Sequence, residues 1–208
     1  MQRITPDIKS HVDLEAEVIT HLTSAGFMVS SATYHDVMPS EVVRTLSKQK
    51  NPTSLYVRTR ADRIAAHPTF DVSFLVECKT NGGSYRNMAI EALPFLHHRQ
   101  DAAMGVRCLY IYRDMVSGVE GGFWASSEIP VESLKIPDKW ASLERLLVPH
   151  FPGVKVQRIR TANGSNDPFI VVRESNLKAV LCDWRRAVSL LYPSHRRPLP
   201  PPPPHRKP

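Results

Sequence analysis

The chain has 208 residues, of which 42% are hydrophobic, so it is long enough for one domain with a substantial core. Its three cysteines stand far apart without a CxxC pair, which argues against a disulfide framework and against a zinc site. The net charge of +7 indicates a polyanionic partner, although four of these charges lie in the last sixteen residues and leave only +3 for the rest of the chain.

The sequence contains no signal for a membrane. No apolar run approaches the eighteen residues that a membrane-spanning helix needs. The N-terminal residues lack the apolar segment of a signal peptide. We therefore expect a cytoplasmic protein with reduced cysteines and no membrane contact.

In chain order, the first part of the sequence predicts helices alternating with strands. Leu14, Val18 and Leu22 recur at helical spacing and predict a helix over residues 10–25, which Gly26 ends. The later elements are a strand at 27–29, a short capped helix from Ser40, a strand at 55–64, a strand at 70–79, a helix at 85–103 with a kink at Pro94, a strand at 106–112 and an edge strand at 121–124.

The pattern changes near residue 137. An α-β-β-α block follows, with a helix at 138–149, strands at 154–156 and 169–172, and a closing helix at 175–191. Residues 193–208 hold eight of the eighteen prolines and predict an extended, disordered tail. The sequence thus predicts a core at 1–136, a C-terminal extension at 137–192 that binds DNA or a second copy of the chain, and a basic proline-rich tail at 193–208.

Two acids and a lysine are predicted to meet at one end of a hairpin. Side chains alternate along a strand, so Glu77 and Lys79 share one face of the strand that they end. The midpoint between positions 62 and 77 falls inside the turn at 67–71, so a hairpin places Asp62 nearly opposite Glu77. Asp71 lies on the same strand as Glu77 and roughly 20 Å from it, and is therefore the weaker candidate.

A fourth candidate lies on the first helix. At about 100° per residue, Glu15 stands about 60° from the centre of the apolar stripe, on the side that faces the sheet. Carboxylates brought together repel each other unless a cation lies between them, and oxygen ligands suit Mg²⁺ or Mn²⁺. The predicted metal ligands are Glu15, Asp62, Glu77 and the Cys78 backbone carbonyl.

Each of these residues also has an ordinary structural explanation. Glu77 and Lys79 could form a surface ion pair at a strand end. Asp62 could form a salt bridge with Arg60 or Arg63, and Glu15 could be a solvated helix acid. The joint arrangement favours the metal site over the separate explanations.

These residues resemble the PD-(D/E)xK nuclease superfamily and, within it, the archaeal-type Holliday junction resolvases. In that group a helix bearing a Glu precedes Gly-Phe and a strand, followed by Asp, a hairpin, Glu-x-Lys, a helix and a further strand. Here Glu15 stands eleven residues before Gly26, and Asp62, Glu77 and Lys79 take the other places. The resemblance covers roughly residues 10–130. Departures are the longer stretch from Val29 to Asp62 and an alanine, not a proline, before Asp62.

The resemblance implies a restriction-endonuclease-like α/β fold, in which helices flank a mixed central sheet. It also implies catalysis by Glu15, Asp62, Glu77 and Lys79 with Mg²⁺, which Mn²⁺ can replace. The leading hypothesis is an endonuclease for branched DNA such as a Holliday junction, acting in recombination and repair as a homodimer. Basic residues that flank the site would contact DNA phosphates: Arg58, Arg60, Arg63, Arg86 and Arg99.

Two other functions fit the same sequence. One is a restriction-type enzyme for duplex DNA, in which residues 138–192 read the base sequence. The other is a non-catalytic module of nuclease fold that binds DNA or assembles with proteins, with residues 200–204 docking into an aromatic groove of a partner. The proline-rich tail would contact either DNA, through a non-specific electrostatic attraction, or a partner protein.

Overall fold

The computed structural model describes residues 8–33, 36, 38–49, 51–81, 86–125, 140–159 and 168–191. The predicted boundary near residue 137 and the predicted proline-rich tail at 193–208 lie outside the described residues. No helix within the described ranges is long and apolar enough to cross a membrane.

The helices and strands follow one another in mixed order. They are α1 (Ile8–Ser24), β1 (Met28–Ser31), α2 (Ser40–Lys48), α3 (Pro52–Arg58), β2 (Arg63–Ala66), β3 (Ser73–Asn81), β4 (Met88–Glu91), α4 (Ala92–Ala103), β5 (Cys108–Asp114), β6 (Glu120–Trp124), α5 (Trp140–Leu147), β7 (Lys155–Arg158), β8 (Pro168–Val172), a 3-10 turn (Glu174–Asn176), α6 (Leu177–Val180) and α7 (Trp184–Ser189).

The central sheet has five strands in the order β1-β2-β3-β5-β6. Strands β3 and β5 are parallel and are connected through β4 and α4, whereas the other neighbours are antiparallel. Strand β6 lies at the edge, as predicted. The predicted fold class, a mixed α/β sheet flanked by helices, is therefore confirmed.

Helices cover both faces of this sheet. On one face, the apolar stripe of α1 packs in a single cluster with Phe74 and Val76 of β3 and with Trp184 of α7. On the other face, Phe95 of α4 packs with Tyr110 of β5 in a second cluster. Alternate β3 side chains enter the two clusters because successive strand residues point to opposite faces. Each buried large apolar side chain contributes about 1.5–3 kcal/mol to this packing.

A smaller sheet joins the two parts of the chain. Its order is β4-β8-β7, and β4 pairs with β8 from Met88↔Val172 to Glu91↔Phe169. The predicted strands at 154–156 and 169–172 correspond to β7 and β8, and the predicted helix at 138–149 corresponds to α5. Side chains of α5 and β8 enter the same core cluster as those of α4.

The predicted closing helix at 175–191 is wrong as a single helix. The segment is divided into a 3-10 turn, α6 and α7. Cys182 interrupts it by forming a backbone bridge to Gly122, with N–H···O distances of 2.8 and 2.9 Å. Asp183 then caps α7, where its carboxylate accepts hydrogen bonds from the N–H groups of Arg185 and Arg186.

Two more predictions fail for identifiable reasons. The predicted strand at 55–64 begins with four residues of helix α3, because Asn51 caps this helix by accepting from the Ser54 N–H and Pro52 occupies its first turn; a strand begins only at Arg63. The predicted helix at 85–103 begins only at Ala92, because the preceding residues pair with β8. Pro94 therefore lies in the first turn, where N–H groups have no intrahelical partner.

Candidate active site

The β2–β3 hairpin brings Asp62 and Glu77 together. Its register pairs Arg63 with Val76, so the next position sets Asp62 against Glu77, as predicted. The Asp62 N–H donates to Glu77 Oε2 over 3.2 Å, and the Cys78 N–H donates to Asp62 Oδ2 over 2.7 Å. Asp71, the weaker candidate, is exposed in the turn.

Lys79 lies between two carboxylates on the same face of the hairpin. Its Nζ is 2.8 Å from Glu77 Oε1 and 3.0 Å from Oε2 of Glu91, the last residue of β4. Burial lowers the pKa of the Lys79 ammonium, but the charges of Glu77 and Glu91 outweigh burial and raise this pKa well above its usual value. Lys79 is therefore a fixed cation at neutral pH.

Helix α1 supplies Glu15 and, one turn earlier, His11. Glu15 Oε1 is 3.0 Å from His11 Nε2, and Glu15 Oε2 is 2.5 Å from Arg63 Nη2. Arg63 Nη1 also reaches Asp36 Oδ2 at 3.4 Å. The hydrogen bond from His11, with that from Arg63, lowers the pKa of Glu15 despite its partial burial, so this carboxyl is ionised.

Three of these side chains can offer ligand atoms to one cation. Atoms of His11, Glu15 and Asp62 all lie within 4.8 Å of one another. Burial and the neighbouring Glu77 charge raise the pKa of Asp62 to about 7, which means that its negative charge is poorly compensated by the protein alone. A divalent cation would supply that compensation, so the residues fit such an ion.

The donor set of this cluster overlaps the predicted one in part. Glu15 and Asp62 belong to both sets. Glu77 instead directs one oxygen to Lys79 and the other to the Asp62 N–H. Two carboxylates with one imidazole suit Mn²⁺ at least as well as Mg²⁺, because Mg²⁺ favours an all-oxygen shell whereas imidazole binds transition metals.

The basic residues predicted to contact DNA are divided between surface and interior. Arg60 is exposed next to the hairpin, and the Arg86 side chain is 56% exposed and 3.9 Å from Glu174. The Arg58 guanidinium donates to the Gln49 carbonyl over 3.3 Å. The predictions for Arg63 and Arg99 are not supported by their positions: Arg63 is held by the acids of the site, and Arg99 is only 5% exposed.

His11 and Glu91 are site residues that were not predicted from the sequence. A local signal existed for His11, since a residue four positions before Glu15 on a helix lies on the same face. Glu91 had no such signal, because its position beside Lys79 depends on the pairing of β4 with β8.

No protein-family model matches the chain, and no curated protein matches it in sequence. Among solved structures, the chain is similar to Hjc, a Holliday junction resolvase from the archaeal hyperthermophile Archaeoglobus fulgidus. The TM-score is 0.42 and the sequence identity 9%, over 86% of this chain and 99% of that chain. A similarity of this degree identifies no activity for this chain, which has to be inferred from its own side chains.

Proposed function

We propose that this chain is a divalent-metal-dependent nuclease that hydrolyses phosphodiester bonds in DNA. The observation that carries the proposal is the convergence of Glu15, Asp62, Glu77 and Lys79 at one end of the β2–β3 hairpin. Carboxylates for a cation beside a fixed ammonium are the groups that phosphodiester hydrolysis requires.

Each residue has a distinct proposed role. Glu15 and Asp62, with His11, would hold the cation, which supplies Lewis-acid stabilisation of the phosphate and makes water more acidic. Lys79 stays protonated and faces the negative charge that develops on the phosphate oxygens, so it acts as an electrostatic group and not as a base. Glu77 holds the Lys79 ammonium in place and orients the Asp62 backbone.

The preferred substrate in this proposal is branched DNA, cut by a homodimer. Arg60, exposed two residues before Asp62, is available for a phosphate near the site, and Arg86 is a further exposed guanidinium. Residues 137–192 would support DNA binding or pairing of two chains. The four positive charges of residues 193–208 would add a non-specific, salt-dependent attraction to DNA.

A cleavage panel tests this function. Purified protein is incubated with a four-way junction, a flap, a linear duplex, single-stranded DNA and RNA, each with Mg²⁺, Mn²⁺ or EDTA. We expect cuts placed by the branch point, in either metal and not in EDTA. Glu77→Ala and Lys79→Ala should each reduce cleavage by several orders of magnitude while DNA binding persists.

Other outcomes identify the alternatives. Cleavage of a linear duplex at one base sequence would indicate a restriction-type enzyme. DNA binding without cleavage, and without a metal-dependent rise in melting temperature, would indicate a non-catalytic module. Wild-type rates in both variants would exclude this site as the source of any activity.

A further inference from the structure

A cavity of about 360 Å³ opens beside the hairpin, between α3 and α4. Its apolar wall consists of Ile64, Leu75, Met104 and Val106. The volume lies in the range of cavities that take small organic groups. None of the roles proposed for Glu15, Asp62, Glu77 and Lys79 uses this cavity.

The cavity adjoins the proposed hydrolytic site through two strands. Leu75 lines it and precedes Glu77 by two positions on β3, so both side chains are on one face, about 7 Å apart along the strand. Ala61 also lines it and directly precedes Asp62. A nucleotide whose phosphate lies beside Lys79 can therefore place its base in the cavity.

The polar lining suits the edge of a base. The Thr59 hydroxyl donates to the Leu55 carbonyl over 2.9 Å and also contacts His97 Nδ1, so Thr59 and His97 form one hydrogen-bonded pair in the lining. Burial lowers the pKa of His97 to about 4, which keeps this ring neutral at pH 7. Asp101 adds carboxylate oxygens and Arg60 adds donors.

An aromatic ring lies at the same cavity. Tyr56 is 52% exposed, and its ring centroid is 6.5 Å from that of His97. A half-exposed tyrosine offers a face on which a base can stack, whatever the base sequence. Stacking, an apolar wall and groups that hydrogen-bond to the base edge are together the features by which proteins hold a base outside the helix.

On the premise that the chain is a nuclease, we propose that this cavity binds one unstacked nucleobase of the strand that is cut. The cleaved phosphate then lies next to an unpaired nucleotide. Branch points, flaps and mismatches offer such a base at little cost, whereas a paired duplex must first be opened. The cavity thereby gives a physical reason for a preference for branched over fully paired DNA.

The test compares two otherwise identical flap substrates. One carries a single unpaired adenine at the branch point, and the other carries an abasic residue there. Affinities are measured by fluorescence anisotropy in EDTA, so that no cleavage interferes. We expect wild-type protein to bind the adenine substrate about tenfold more tightly, as stacking of one base on an aromatic side chain implies. Equal affinities would overturn the proposal.

Two variants locate the effect in the cavity. Tyr56→Ala removes the stacking ring, and Met104→Trp fills the cavity from a residue that is 70% exposed, so both should bring the affinity ratio close to one. Tyr56→Phe should keep the ratio. Met28→Trp is the matched control, since Met28 is 63% exposed and is not among the cavity residues. An unchanged ratio in both Tyr56→Ala and Met104→Trp would overturn the assignment even if the wild-type protein discriminates.

Cleavage with Mg²⁺ or Mn²⁺ is a separate measurement on the same substrates. If the protein cleaves DNA but binds the two substrates equally, the nuclease proposal is supported and the proposed role of the cavity is contradicted. A tenfold ratio without cleavage would support base binding and contradict the nuclease proposal.

Discussion

Arg63 Nη2 lies 2.5 Å from Glu15 Oε2, although the two residues are 48 positions apart in the chain. A strand arginine thus holds one of the carboxylates that would face the cation. A second strand arginine, Arg113, likewise pairs with an acid of α1: its Nη2 lies 2.5 Å from Glu17 Oε2. The two pairs differ in position, because Glu15 faces the hairpin site and Glu17 lies near β6.

Removing Arg63 should strengthen cation binding. In Arg63→Gln, the carboxylates keep their charge and lose a nearby positive group, so the attraction for a divalent ion increases. We expect Mn²⁺ affinity to rise several-fold at low salt, measured by isothermal titration calorimetry, with a smaller gain at high salt because of screening. Arg113→Gln is the matched control and should leave Mn²⁺ affinity unchanged. Weaker Mn²⁺ binding by Arg63→Gln would show that Arg63 organises the ligands.

Replacing His11 should weaken Mn²⁺ binding more than Mg²⁺ binding. His11→Gln removes an imidazole ligand that Mn²⁺ accepts and Mg²⁺ rarely uses, so we expect about a tenfold loss for Mn²⁺ and less for Mg²⁺. His21→Gln changes the same residue type on the same helix, where the ring packs against Trp184, and should leave both affinities intact. Equal losses for the two ions in His11→Gln would contradict a ligand role.

Binding through His11 also has a proton signature. The hydrogen bond with Glu15 raises the pKa of His11 despite the opposing effect of burial, so the ring is more often protonated than an ordinary histidine. It must lose that proton before it can bind a metal ion. Mn²⁺ binding should therefore weaken as the pH falls below this raised pKa. Titration calorimetry in buffers of different ionisation enthalpy should detect proton release in wild type and less release in His11→Gln.

Removing the charge of Glu91 should change catalysis through Lys79. In Glu91→Gln, Lys79 keeps Glu77 and loses the second carboxylate, so the pKa of its ammonium falls. We expect cleavage to fall about tenfold and the alkaline limb of the pH–rate profile to move to lower pH. The control is Glu41→Gln, at an exposed acid of α2 that is not among the site residues. A slower rate with an unmoved alkaline limb would point to a structural role alone.

Buried histidines should make stability depend on pH below neutrality. Burial lowers the pKa of His98 and of His97 to about 4, whereas an unfolded histidine titrates near 6.5. Between these values the unfolded chain binds protons that the folded chain does not. The neutral buried rings therefore contribute fully to the free energy of unfolding above pH 6.5. This contribution, at most about 3 kcal/mol per ring, is lost as the pH falls towards 4.

The His98→Gln variant tests this dependence. The pH slope of the free energy of unfolding, from urea titrations between pH 4.5 and 7, should decrease by the contribution of one histidine. The other titrating groups, among them His97 and Asp62, keep their own contributions. Gln100→Ala alters an exposed neighbour on the same helix that does not titrate, and should keep the wild-type slope. A slope that is the same in His98→Gln and wild type would show that His98 does not cause the acid sensitivity.

Local patterns in the sequence were sufficient to predict helix α1 and the β2–β3 hairpin. A periodicity of 3.6 residues identifies the buried face of α1, and with it the side on which Glu15 lies. The register of a short hairpin follows from its turn, so the opposition of Asp62 and Glu77 could be predicted. Helix α3 was missed although its signal is also local, since Asn51 and Pro52 mark a helix start.

Contacts between distant segments were decided only by the tertiary structure. Glu91 reaches Lys79 because β4 pairs with β8, and Glu15 meets Arg63 because α1 packs across β3. The physical reason is that helix periodicity and hairpin register arise from the backbone geometry of neighbouring residues. Which charged side chains meet across the fold depends instead on which faces of the helices and sheets pack together. That packing is determined by the burial of apolar side chains from the whole chain.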